Sequence, residues 1–212
     1  MPIITTRRKT VSDRRRGQRN ALALLVVVFA LFIVGAAGSL WLLSAPANEQ
    51  SAPIGGPFRL TASDGKIMTD RDFRGKYLLI YFGYTICPDV CPTTLQSVAA
   101  ALDALGRKAD MIQPLLITVD PAHDTASVLA QYTAAFSPQL LGLTGTAEEI
   151  AGVEKEYRVY AAMHRTGSGP DEYSVDHSSV LFLMGPDGRF IARLRADASG
   201  PEIASAIVQR LS

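Results

Sequence analysis

Two kinds of apolar patterning alternate along this chain. Tyr77-Leu78-Leu79-Ile80-Tyr81-Phe82 and Leu115-Leu116-Ile117-Thr118-Val119 are nearly unbroken apolar runs of strand length, the pattern of strands covered on both faces. Between them Leu95, Val98, Ala99, Leu102 and Leu105 recur at helical spacing up to Gly106, and Pro92 suits the first turn of such a helix. The segments 125–136 and 147–157 repeat the helical pattern, so strand and helix alternate as βαβ crossovers. Phe58 to Ala62 predicts a strand that turns at Asp64-Gly65-Lys66. Beyond Arg158 the pattern changes to paired strands over 159–164, 179–184 and 190–194, the last two joined at Pro186-Asp187-Gly188, before a final helix from about Gly200. The expected fold class is α/β, a central mixed sheet flanked by helices.

The first 57 residues obey different rules. Residues 1–20 carry seven Lys or Arg against Asp13 alone, and residues 21–43 are uncharged and apolar, long enough to cross a bilayer as a helix. With the basic cluster just before the span, the positive-inside rule leaves the N-terminus in the cytoplasm and exports the chain beyond Ser44. A cleaved signal peptide is the competing reading, because Ala45-Pro46-Ala47 loosely resembles a cleavage site, but the apolar stretch exceeds the usual signal core of about 7–15 residues. Residues 44–57, rich in Pro, Ser and Gly, read as a tether, and 58–212 as one domain with a core of its own. The tail's net +6 within a chain total of +1 leaves the remainder near −5, which gives no reason to expect a nucleic-acid partner.

Cys87 and Cys91 are the chain's only cysteines. They come directly after the first apolar run, with Cys91 at the entrance of the helix that begins near Pro92. Four residues apart around Pro88, they suit either a soft metal site or a reversible disulfide. A structural disulfide closing so short a loop constrains little of the unfolded chain. A third ligand elsewhere decides between the readings, and His177 is the candidate. The positive end of the helix is expected to lower the Cys91 thiol pKa. No nucleophile elbow, phosphate loop or zinc-protease helix motif is present.

Gly55-Gly56-Pro57-Phe58, Tyr81-Phe82-Gly83-Tyr84-Thr85, Cys87-Pro88-Asp89-Val90-Cys91-Pro92, Thr118-Val119-Asp120-Pro121, Gly142-Leu143-Thr144-Gly145 and Asp176-His177-Ser178 together closely resemble the Sco/SenC copper-binding proteins of the thioredoxin superfamily. The resemblance spans the domain after the tether. It implies a thioredoxin-like domain behind a membrane anchor, binding one copper ion through Cys87, Cys91 and His177. It also implies a role in assembling the dinuclear copper centre of cytochrome c oxidase, with subunit II as client and another protein as copper donor. Some members are thought instead to be thiol–disulfide reductases, using the same pair as a Cys87–Cys91 disulfide when oxidised. The implied location is a bacterial inner membrane, crossed once, with the domain in the periplasm; the alternative is the mitochondrial inner membrane, facing the intermembrane space.

Elementary coordination chemistry agrees with that ligand set. Thiolates favour Cu(I), imidazole accepts Cu(I) or Cu(II), and zinc fits less well because a closed zinc site wants four ligands. Asp89 and Asp176 are the expected outer carboxylates, able to orient the imidazole or supply a weak oxygen, though Asp89 equally suits a helix N-terminus. His177 is expected in the loop before the strand starting at Ser179, within reach of the cysteines only in a thioredoxin-like fold. Met163 and Met184 read as core, and His123 and His164 as solvated. Ile86 and His123 depart from the family, which often has histidine or an aromatic residue at the first position and arginine at the second.

Overall fold

The computed structural model describes Leu25, residues 28–35, 54–169 and 172–211. Leu25 and residues 28–35 are helical with exposed apolar side chains, and no helix among the described residues is long and apolar enough to cross a membrane. The basic tail, most of the expected 21–43 span and the tether up to residue 53 lie outside the described residues.

From Ile54 onward the apolar runs form the centre of a mixed sheet. Strands β1 (Arg59–Ala62), β2 (Ile67–Thr69), β3 (Tyr77–Gly83), β4 (Ile112–Thr118), β5 (Leu141–Thr144), β8 (Val180–Met184) and β9 (Phe190–Arg195) lie in the order β2-β1-β5-β4-β3-β8-β9. β3 pairs parallel with β4 and antiparallel with β8, and all seven of its residues are buried. That accounts for its lack of polar alternation, since a strand covered on both faces has no solvent side. The sheet flanks are four helices, α1 (Val90–Leu105), α2 (Ala126–Ala134), α3 (Ala147–Tyr157) and α4 (Gly200–Val208). α1 and α4 pack so closely that a methyl group on Gly200 would stand 2.6 Å from the Ala100 Cβ. On the face reached by alternate β3 residues, Tyr157 of α3 packs against Phe82 and Phe182, with ring centroids 5.5 and 5.6 Å away.

β6 (Ala161–Arg165) and β7 (Tyr173–His177) form a separate two-stranded ribbon. β5 and β7 are absent from the sequence expectation. β5 is four residues long and contains Gly142, and β7 reads Tyr-Ser-Val-Asp-His, so neither carries the apolar run that marks the central strands. His177 is therefore the last residue of a strand rather than part of a loop.

The helix starts differ in a way that bears on the site. α3 opens with a capping box in which Thr146 Oγ1 accepts from the Glu149 amide at 3.1 Å and the Thr146 amide donates to Glu149 Oε2 at 2.9 Å. Ser199 and Glu202 do the same for α4, and Thr125 caps α2. α1 has Asp89 in the cap position without a side-chain cap bond, which leaves its first amides to other acceptors.

The loop between β3 and α1 is tied down from β4. Asp124, fully buried, accepts from the Thr85 amide at 3.1 Å, from Thr85 Oγ1 at 2.5 Å and from Thr118 Oγ1 at 2.6 Å. Burial raises its carboxyl pKa, and the Thr118 and Thr85 hydrogen bonds oppose the shift. Asp124→Ala should cost about 1–3 kcal/mol in urea unfolding, because it strands buried donors, and Asp124→Asn should cost less. An alanine variant as stable as the parent would show that this carboxylate does not hold the loop.

Candidate metal centre

The end of β3, the start of α1 and the end of β7 meet at one point. Gly83 closes β3, and its bare backbone admits the helix: a Cβ there would lie 3.1 Å from Cys91 Sγ and 2.9 Å from Tyr81 Cε1. Cys91 is in the first turn of α1 and fully buried, and Cys87 is half-buried one turn earlier; both are free thiols. The Cys91 amide points to Cys87 Sγ at 3.4 Å. His177 closes the other side, with Nε2 3.5 Å from Cys91 Sγ. Its ring lies edge-on to Tyr81 and Tyr84, with centroids 5.9 and 6.0 Å away. Tyr81 Oη donates to Cys91 Sγ at 3.8 Å.

Cys91 and His177 thus meet across 86 residues of sequence, with Cys87 one turn away, while the two expected carboxylates stay outside. Asp89 is exposed on the rim and accepts from Thr93 Oγ1 at 3.5 Å. Asp176 projects to the other face of β7, exposed, where it meets His164 Nε2 at 3.3 Å. No hydrogen bond from Asp176 orients the imidazole, because His177 Nδ1 is buried without a partner. Among the described residues no three His, Cys, Asp or Glu side chains stand ready to hold a metal ion: Cys91 and His177 already face each other, and the Cys87 sulfur is turned to the Cys91 amide.

The electrostatics reverse one expectation. The Cys91 thiol pKa is pushed up to about 12, chiefly by burial, not lowered by the helix. The free amide at the start of α1 serves Cys87 instead, since it is that sulfur which accepts from it. Burial also lowers the His177 pKa, against smaller opposing effects from the Ser178 backbone and the Asp176 charge. The imidazole is therefore neutral near pH 7 and free to donate a lone pair.

Other residues divide between agreement and correction. Met184 is core, as expected, but Met163 is 56% exposed, on the same face of the ribbon as Val175. His164 is exposed, whereas His123 is half-buried. Ile86 packs against the core. Sequence reasoning assigned no role to Tyr81, Tyr84, Asp120, Asp124 or Tyr173, all of which border or support the centre. A recess of about 340 Å³ lined by Tyr84, Cys87, Pro88, Asp89, Val175 and His177 opens the site to solvent.

A mixed sheet flanked by helices, with a cysteine pair at a helix start and a histidine from a nearby strand, defines a thioredoxin-like fold. The SCO1/SenC family pattern matches residues 46–212, and the chain belongs to that family. It is 41% identical to human "Protein SCO1 homolog, mitochondrial" over 164 residues, 74% of this chain and 53% of the human one. It is 35% identical to a SCO2-like protein of Rickettsia prowazekii over 195 residues, 88% of this chain and 95% of that one. The solved structure of Bradyrhizobium japonicum ScoI with copper bound is 42% identical, covers 74% of this chain and 99% of its own, and superposes with a TM-score of 0.69. The chain spans about half the length of the human and mouse relatives.

Exposure ranks the two thiols, and burial adds to the difference by pushing the Cys91 thiol up to about 12, so that almost none of it is thiolate at pH 8. The folded, reduced protein should take one iodoacetamide label at Cys87, read by peptide mass spectrometry, with Cys91 labelled only after unfolding. Equal labelling of both in the folded state would contradict the placement of Cys91.

Proposed function

We propose that the chain is a membrane-anchored copper metallochaperone. Its Cys87, Cys91 and His177 carry one copper ion as cargo toward the dinuclear centre of cytochrome c oxidase, with subunit II as client. The observation that carries this reading is the 3.5 Å approach of Cys91 Sγ to His177 Nε2. With metal bonds of the length zinc makes, about 2.3 Å to sulfur and 2.0 Å to nitrogen, two ligands of one ion stand about 3.5–3.7 Å apart for angles between tetrahedral and trigonal. A histidine kept for structure has both ring nitrogens hydrogen-bonded; here Nε2 is bonded to the Cys91 sulfur and Nδ1 is buried without a partner.

The donor set supports copper over harder ions. Two thiolates and a neutral imidazole suit Cu(I) and also accept Cu(II), so the same residues can hold the cargo through a change of oxidation state. Rotation of the Cys87 side chain off the Cys91 amide completes the three ligands, and the amide then faces a negatively charged site, where it is stabilising. The copper-bound state of the Bradyrhizobium relative supports the same ion. Residues 21–43 as anchor and a periplasmic face for residues 58–212 rest on the hydropathy and charge pattern. The bacterial reading is supported by the Rickettsia relative, which this chain covers nearly end to end.

A thiol–disulfide reductase is the second reading, favoured by the two free thiols one turn apart. In it the more accessible Cys87 attacks and Cys91 resolves, and His177 is dispensable.

The readings separate in one experiment. The reduced protein should bind one Cu(I) equivalent against a chromophoric chelator, and His177→Ala should weaken binding by about 10- to 100-fold. Because Cys91 must lose its proton to ligate, apparent affinity should rise as pH increases from 6 to 8, by about tenfold per unit for each proton displaced. Affinity indifferent to both the substitution and pH would sink the three-ligand proposal, and disulfide reduction surviving in His177→Ala would favour the reductase.

A further inference from the structure

The ribbon that carries His177 is not hydrogen-bonded into the seven-stranded sheet, so something else must fix the histidine over the cysteines. Residues 173, 175 and 177 share one face of β7, and each meets a different element of the body. Tyr173 Oη donates to Asp120 Oδ2 in the loop after β4. The Val175 amide donates to Tyr84 Oη at 3.1 Å, just beyond β3. His177 faces Cys91 at the start of α1.

The Asp120 end of this arrangement is rigid. Asp120 is 2% exposed. Its amide donates to Thr118 Oγ1 at 2.9 Å, and its carbonyl accepts from the amides of Asp124 at 2.9 Å and His123 at 3.3 Å. The far end of the ribbon is closed by Ser178, whose amide donates to the Tyr160 carbonyl at 3.0 Å while its hydroxyl accepts from the Tyr160 amide at 3.1 Å. Four residues, about 13 Å of strand, separate the Tyr173 attachment at the ribbon's outer end from His177 at its root. Holding the outer end fixes the tilt of the ribbon about that root, and with it the direction in which the imidazole leaves the strand, to which metal affinity is sensitive.

We propose that Tyr173 and Asp120 are a positioning pair that clamps the β6–β7 ribbon onto the body and thereby sets His177 against Cys91. The pair touches neither sulfur nor cargo. This inference rests on His177 being a copper ligand, and the test keeps the two apart. In the full chain in detergent, Tyr173→Phe should lower Cu(I) affinity by about tenfold or more. In a His177→Ala background the same substitution should change affinity less than twofold. Where His177→Ala itself weakens copper binding, a Tyr173→Phe loss of equal size in both backgrounds, or none with His177 present, overturns the clamp. Asp120→Ala should reproduce the loss, and Asp120→Asn, which keeps an acceptor oxygen, should restore most of it.

A second readout needs no copper. Amide hydrogen exchange over 173–177 in the metal-free protein should quicken at least about tenfold in Tyr173→Phe, as expected when a local attachment is lost, with exchange in β3 unchanged. Unaltered exchange over 173–177 overturns the clamp. If exchange quickens while His177→Ala leaves copper affinity intact, the clamp stands and the ligand assignment falls.

Discussion

β3 is hydrogen-bonded on both sides, to β4 and β8, and covered on both faces, so none of its seven residues can move without breaking a ladder or opening a cavity. This immobility fixes the candidate metal centre. Alternation along the strand sends Phe82 to one face and Tyr81 and Gly83 to the other. Gly83 supplies the bare backbone against which Cys91 lies, and Tyr84, just past the strand, receives the ribbon through the Val175 amide. The short loop beyond Tyr84 is held by Asp124 from the far side of β4. The cysteine pair thus follows directly on the buried central strand, and the histidine is brought to it by a ribbon outside the seven-stranded sheet.

That division suits a carrier better than a resident metal enzyme. Cys91 is buried, protonated and packed against Tyr81 and His177; Cys87 is nearer solvent, and only its sulfur enjoys a helix-start amide. On the proposed function, Cys87 makes first contact with an incoming ion, and Cys91 joins it only as the ion displaces its proton. Burial outweighs the helix start at Cys91 because a thiolate there would lose its hydration, whereas the partial charge of a helix end contributes only about 0.3–1 kcal/mol at an ordinary site. The neutral imidazole brings no such cost.

The long apolar runs and the amphipathic helices were legible because burial on both faces, or on one stripe, leaves a period in the sequence. β5 and β7 leave none: each is short, and β7 mixes Ser and Asp with its buried Val175. The three ligand candidates were legible from residue type and motif, yet the side chains that position them were not. Tyr81 and Tyr84 look like ordinary strand aromatics, and Asp120 and Asp124 look like loop acids; only the fold turns them into partners of Cys91, Val175, Tyr173 and Thr85. Asp176 misled for the converse reason, since adjacency to His177 in a strand places its side chain on the opposite face.

X-ray absorption at the copper edge of the Cu(I)-loaded chain tests the central claim most directly, because it counts the ligands. The account predicts two sulfur scatterers and one imidazole nitrogen, with the imidazole signal lost in His177→Ala and the sulfur signal kept. A shell of sulfur alone, or one dominated by oxygen, in the unsubstituted protein would contradict it.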